Sequence, residues 1–141
     1  MIVLDANILI RAILGRRVRQ ILEDYSAAGV RFYAPDLAFE EAAEYLPVLL
    51  NKKGISGTDG ASSIAYLEAF VRKIDVDAYK PFEGDARLRL RRRDEDDWPI
   101  LASALALNCP IWTEDMDFFG SGIAVWTTNR VELFLKTQSK A

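Results

Sequence analysis

The chain has 141 residues, half of them hydrophobic, with 28% charged and 11% aromatic, which suits one folded domain with one buried core. It contains no histidine and a single cysteine, Cys109. That excludes Ser-His-Asp and Cys-His catalysis, His-ligated or Cys₄ zinc and an intramolecular disulfide, and it fits a reducing cytoplasm. The net charge of −3 is the wrong overall sign for a nucleic-acid binder, so such a role has to come from local distribution, and an enzyme of this composition relies on carboxylates.

Residues 2–4 form an apolar β-branched run that reads as a buried strand ending at Asp5. Residues 9–14 suggest a short helix broken by Gly15. A second helix carries Val18, Ile21, Leu22 and Tyr25 on one face and stops at Gly29. Residues 30–34 read as the next strand, followed by Pro35, and a third helix spans 36–50. Gly54, Gly57 and Gly60 mark a loop, residues 61–73 are helical in pattern, and 74–76 are a strand candidate. Residues 80–93 are ambiguous, with helix expected late in the stretch. Residues 97–107 form a strongly apolar helix closed by Asn108, Cys109 and Pro110. Residues 111–112 and 123–126 give two further strands, and 129–135 a last helix. No apolar run approaches the roughly 18 residues of a membrane helix, and the start of the chain lacks the basic n-region of a signal peptide.

Alternating strands and helices predict an α/β fold: one domain over 1–135 with a C-terminal tail at 136–141, and a parallel sheet covered on both faces. In such sheets ligands bind beyond the carboxyl ends of the strands. The first strand delivers Asp5 there, and the strand at 111–112 delivers Thr113, Glu114, Asp115, Met116 and Asp117. Acids gathered at one apolar edge point to a cation. On the third helix, Asp36, Glu40 and Glu44 share a stripe that reads as a solvated face. Glu41 falls on the stripe of Leu37, Tyr45 and Val48 and is expected to point toward the core margin, with a snorkelling edge residue as the alternative. Asp94 or Asp96 is a candidate N-cap for the late apolar helix, and periodicity does not choose which neighbouring aspartate faces the other acids. Two groups of arginines, Arg11, Arg16, Arg17 and Arg19, and then Arg87, Arg89, Arg91, Arg92 and Arg93, are candidate phosphate contacts or solvated faces. No Walker A pattern is present.

Val3-Leu4-Asp5-Ala6-Asn7-Ile8-Leu9, Ala34-Pro35 with Glu41, Asp97-Trp98-Pro99-Ile100-Leu101-Ala102-Ser103-Ala104 and Trp112-Thr113-Glu114-Asp115-Met116-Asp117-Phe118 occur in that order across nearly the whole chain. In this the sequence resembles PIN-domain ribonucleases of the VapC type, the toxins of bacterial toxin–antitoxin pairs. The resemblance implies a sheet of about five strands in the order 3-2-1-4-5. It implies metal-binding acids at Asp5, Glu41, Asp97 and Asp115, with Asp117 as a supporting fifth catalytic acid and Asp96 as the alternative to Asp97. Thr113 would be a small hydroxyl beside the site, and Asn7 would hold the Asp5 carboxylate. It further implies Mg²⁺ or Mn²⁺, hydrolysis of RNA to 5′-phosphate and 3′-hydroxyl ends by metal-activated water, an antitoxin partner and a homodimer. Trp98 is the tryptophan best placed to stack on a base, Trp112 being expected in the core. A haloacid-dehalogenase-type phosphatase would need an aspartate where Asn7 stands, and neither it nor a receiver domain finds its lysine here. A non-catalytic PIN-like binding module is the remaining alternative.

Overall fold

The computed structural model describes residues 1–54 and 59–139. Five strands, β1 (Ile2–Leu4), β2 (Phe32–Pro35), β3 (Val71–Ile74), β4 (Ile111–Trp112) and β5 (Val125–Trp126), form one sheet in the order β3-β2-β1-β4-β5. Every pairing is parallel. The central strand is wholly buried because helices cover both faces, which is why its sequence is a continuous apolar run rather than an alternation. Val3 pairs with Tyr33 on one side and Ile111 on the other, and Leu4 pairs with Trp112.

The helices are α1 (Ala6–Leu14), α2 (Arg17–Ala27), α3 (Asp36–Lys52), α4 (Asp59–Leu67), the single turn α5 (Val76–Tyr79), α6 (Glu83–Arg89), α7 (Trp98–Leu107) and α8 (Val131–Gln138). α1 starts as soon as β1 ends, because Asp5 accepts the Ile8 amide and caps it. α2 buries the expected Val18, Ile21 and Leu22, and Gly29 follows it at φ 93°, a conformation open to glycine. α7 is apolar all round because it is buried all round, from Trp98 through Ala104, and Asn108 closes it in the left-handed region.

Several boundaries differ from the sequence expectation. The helix expected to run to residue 73 ends at Leu67, and β3 lies three residues earlier than expected. In β3 only Val71 and Ile74 are buried while Arg72 and Lys73 are exposed, the charged character of an edge strand, so its alternation is blurred. Residues 80–93 are helical early rather than late: Glu83–Arg87 and Asp85–Arg89 pairs stabilise α6 at i,i+4 spacing, and the arginines beyond it lie in turns. Of the expected glycine loop, Gly57 lies outside the described residues and Gly60 belongs to α4. The last helix continues to Gln138, so the start of the expected tail is helical.

α3 corrects the stripe argument. Its buried face is Ala38, Phe39, Ala42, Leu46 and Leu50, whereas Leu37, Tyr45 and Val48 are exposed, Val48 by 55%. Phe39, Leu46 and Leu50 pack inward together with two alanines, and the stripe of Leu37, Tyr45 and Val48 lies outside that buried face. Asp36 is not simply solvated: it accepts the amides of Leu37 and, at 3.1 Å, Val76, and the Tyr79 hydroxyl donates to it.

Candidate active site

Parallel register brings the chemistry together. Leu4 and Trp112 are partners on adjacent strands, so the next residues, Asp5 and Thr113, meet at the carboxyl edge of the sheet. Both are buried, Thr113 completely. The Thr113 hydroxyl donates to Asp5 Oδ2, and Asp5 Oδ1 accepts the Ile8 amide at 3.0 Å. Thr113 Oγ1 also accepts the Asp115 amide at 2.9 Å, and Asp115 Oδ1 in turn accepts the Asp117 amide at 2.9 Å. A single hydroxyl thus ties the end of β1 to the turn after β4.

The opposite wall comes from the start of α7. Asp94 accepts the Asp96 amide at 3.0 Å and caps a single 3₁₀ turn, Glu95–Asp97, that leads into the helix. This turn aims Asp97 at the acids from β1 and β4, while Asp96 stays exposed. Carboxylate oxygens of Asp94, Asp97 and Asp117 all lie within 4.8 Å of one another. Asp97 Oδ2 is buried and has no hydrogen-bond partner among the described residues.

The electrostatics follow from burial and like charge. Asp5 is pushed up to about 6, mainly by burial, with the Thr113 and Ile8 hydrogen bonds opposing and Asp115 and Glu41 adding to the rise. Asp97 is pushed up to about 7 by burial and then by Asp94 and Asp115. Glu41 is raised by burial, Glu44 and Asp94. The field of Glu41 therefore reaches the acids of the cluster, although its side chain is exposed, at the margin of the group rather than inside it. Glu40 instead adds to the field at Tyr79.

Asp5, Asp97, Asp115 and Asp117 are thus gathered in one acidic group, with Glu41 at its margin. Asn7 does not join it as expected: it is exposed, and the Asp5 carboxylate is held by Thr113 and the Ile8 amide. Trp98 is also misplaced for base stacking, being buried against Tyr79 at 5.6 Å beneath the Arg87 guanidinium. Trp112 is in the core as expected. Asp94 is the acid that sequence reasoning took only for a cap. The signal available was its spacing, three residues before Asp97 across one helical turn. Among the described residues no helix is long and apolar enough to cross a membrane.

Comparison with solved structures shows the same fold. A chain of the VapBC2 complex from Rickettsia felis, bound to a DNA fragment from their promoter, aligns with TM-score 0.71 at 18% identity, covering 90% of this chain and 98% of that one. A toxin–antitoxin complex from Klebsiella pneumoniae aligns with TM-score 0.64 at 21% identity, covering 91% and 98%. FitAB bound to the IR36 DNA fragment aligns with TM-score 0.63 at 22% identity, covering 91% and 95%. No curated protein matches the sequence. The PIN domain family model matches residues 3–136, and the chain belongs to that family.

Proposed function

We propose that the protein is a divalent-metal-dependent ribonuclease and the toxin of a toxin–antitoxin pair. The observation that carries this reading is the Asp94–Asp97–Asp117 cradle with its buried, unpartnered Asp97 Oδ2, set beside the hydrogen-bonded Asp5–Thr113–Asp115 unit. The donor atoms are all carboxylate oxygens, which suit hard Mg²⁺ or Mn²⁺. Asp94, Asp97 and Asp117 would hold the ion, with Asp5, Asp115 and Glu41 completing the anionic surroundings. When bound, such an ion supplies neutralisation of the clustered charge, activation of water and stabilisation of a phosphodiester's leaving oxygen.

The chain's own residues do the rest. Thr113 and the Ile8 amide fix the Asp5 carboxylate in one orientation, and Thr113 fixes the backbone of Asp115, so the site is organised before substrate arrives. Glu41, at the exposed margin with a raised pKa, can exchange protons with water entering the cleft. The toxin role draws support from the likeness to toxin–antitoxin complexes, and with it come an antitoxin partner, a homodimer and a cytoplasmic setting as parts of the proposal.

The test is cleavage of an end-labelled single-stranded RNA by purified protein in Mg²⁺, Mn²⁺ or EDTA, beside Asp97→Asn. Metal-dependent cleavage lost in the variant is expected. RNA binding with no cleavage in any metal would favour the non-catalytic module instead.

A further inference from the structure

A groove of about 500 Å³ lies between the end of α1, the start of α2 and the end of α3, against the turns that follow β4 and β5. Arg11, Arg16, Arg17 and Lys53 line it. Among the described residues none of the four is in an ion pair; Arg17 donates only to the neutral Asn129, at 3.3 Å. Glu114 is the one carboxylate in the lining, and it accepts the Thr128 amide at 2.7 Å. Four like charges around one concavity repel one another and concentrate anions there.

Local sequence rules are broken in the same direction. α2 begins with no side-chain cap and no acid in its first turn. It carries arginines there instead, against the preference of a helix N-terminus for negative charge. Arg16, Arg17 and Val18 all border the groove, so the positive end of α2 adds to the guanidinium groups. By contrast, Arg87 and Arg89 in the other arginine group are neutralised by Glu83, Glu95 and Asp85. Arg19, grouped with the others in the sequence, faces a separate cleft with Glu23 and Tyr66.

Resting on the nuclease reading of the acidic site, we propose that this groove is the track for the phosphate backbone of single-stranded RNA. Glu114 links the two: it lines the groove, and its neighbours Thr113 and Asp115 belong to the acid cluster. An RNA whose reacting phosphate meets the acids therefore lays its flanking phosphates against Arg11, Arg16, Arg17 and Lys53. The lining offers only Leu14 and Val18 as apolar side chains, too little for the hydrophobic centre of a protein interface, so a polyphosphate backbone is the better match than an acidic polypeptide.

The experiment measures binding of a labelled single-stranded RNA in EDTA across a salt series for the wild type, the Arg16→Ala/Arg17→Ala double variant and Arg19→Ala. Each phosphate contact to a single strand contributes about 0.7 to the logarithmic salt slope. The double variant is expected to lose about 1.4 of slope, or roughly 20-fold in affinity at 0.1 M salt, with Arg19→Ala unchanged. An unchanged slope, no RNA binding by the wild type, or arginine-dependent binding of polyglutamate but not RNA overturns the groove, whether or not the protein cleaves. Binding that depends on these arginines in a protein that cleaves nothing overturns the nuclease reading and leaves the groove standing.

Discussion

The two halves of the acidic site are built differently. Asp5 follows β1 and Asp115 caps the turn after β4, and both are locked through Thr113, each tied to it directly. Asp94, Asp97 and Asp117 sit on 3₁₀ turns, and Asp97 keeps a buried oxygen with no partner. The first half is satisfied by the protein alone. In the second, Asp94 accepts the Asp96 amide, while the unpaired buried oxygen of Asp97 carries a free-energy cost. Rigid scaffold and open receptor are thus separated, and the proposed metal site is concentrated in the turns.

Asp97→Asn breaks the open half and carries the largest expected effect. Cleavage falls roughly 10²–10³-fold, the scale of losing one electrostatic stabiliser. In EDTA at pH 8 the same variant melts higher than wild type, because a buried like-charge repulsion is gone. Lower activity with a lower melting point would mean Asp97 is held by the protein after all. Thr113→Val attacks the locked half: Asp5 Oδ2 and the Asp115 amide both lose their partner, costing about 2–3 kcal/mol in urea unfolding. It also reduces activity by roughly 10–100-fold, as for groups that orient ligands. Thr113→Ser is expected to restore both, and full activity in Thr113→Val would show that the lock is dispensable.

The locked half is also the half that the sequence makes legible. Two apolar strands ending in acids, in a parallel α/β order, are enough to place Asp5 beside the turn after β4. The open half was only partly so. Asp97 and Asp96 are adjacent in a helix start whose body is apolar on every side, so periodicity is silent, and a 3₁₀ turn rather than helical phase decides between them. Asp94 looks like a cap because it is one, accepting the Asp96 amide; its place in the cradle depends on the fold of the β4 turn. Asn7, the second residue of α1, is exposed, and the Asp5 carboxylate is held by the Ile8 amide and the Thr113 hydroxyl instead.

Acidity reads both halves at once. Asp5 and Asp97 rise from 3.8 to about 6 and about 7 in the folded chain. A carboxyl whose folded pKa is raised stabilises the native state below its unfolded value, and that contribution is lost as pH climbs through the folded one. Metal-free protein is therefore expected to lose roughly 2–3 kcal/mol between about pH 4 and pH 7, the half-exposed Asp97 discounted for screening. Mn²⁺ added at pH 7.5 should recover most of it. A metal-free stability that is flat or rises across this range would mean the acids are not charged against one another.

Glu41 tests how far the open half extends, and its effect is the smallest. It is exposed, outside the buried face of α3, yet its charge couples to Asp94 and to Asp5. Glu40, one residue earlier, acts on Tyr79 instead. Removing a marginal charge costs less than removing a buried one, so Glu41→Gln is expected to lower cleavage about tenfold and Glu40→Gln to leave it unchanged, with stability nearly equal in the two. Since both changes delete one surface charge from the same helix, a general electrostatic effect moves both rates together. Equal rates for the two variants would remove Glu41 from the site and confine the open half to the three aspartates.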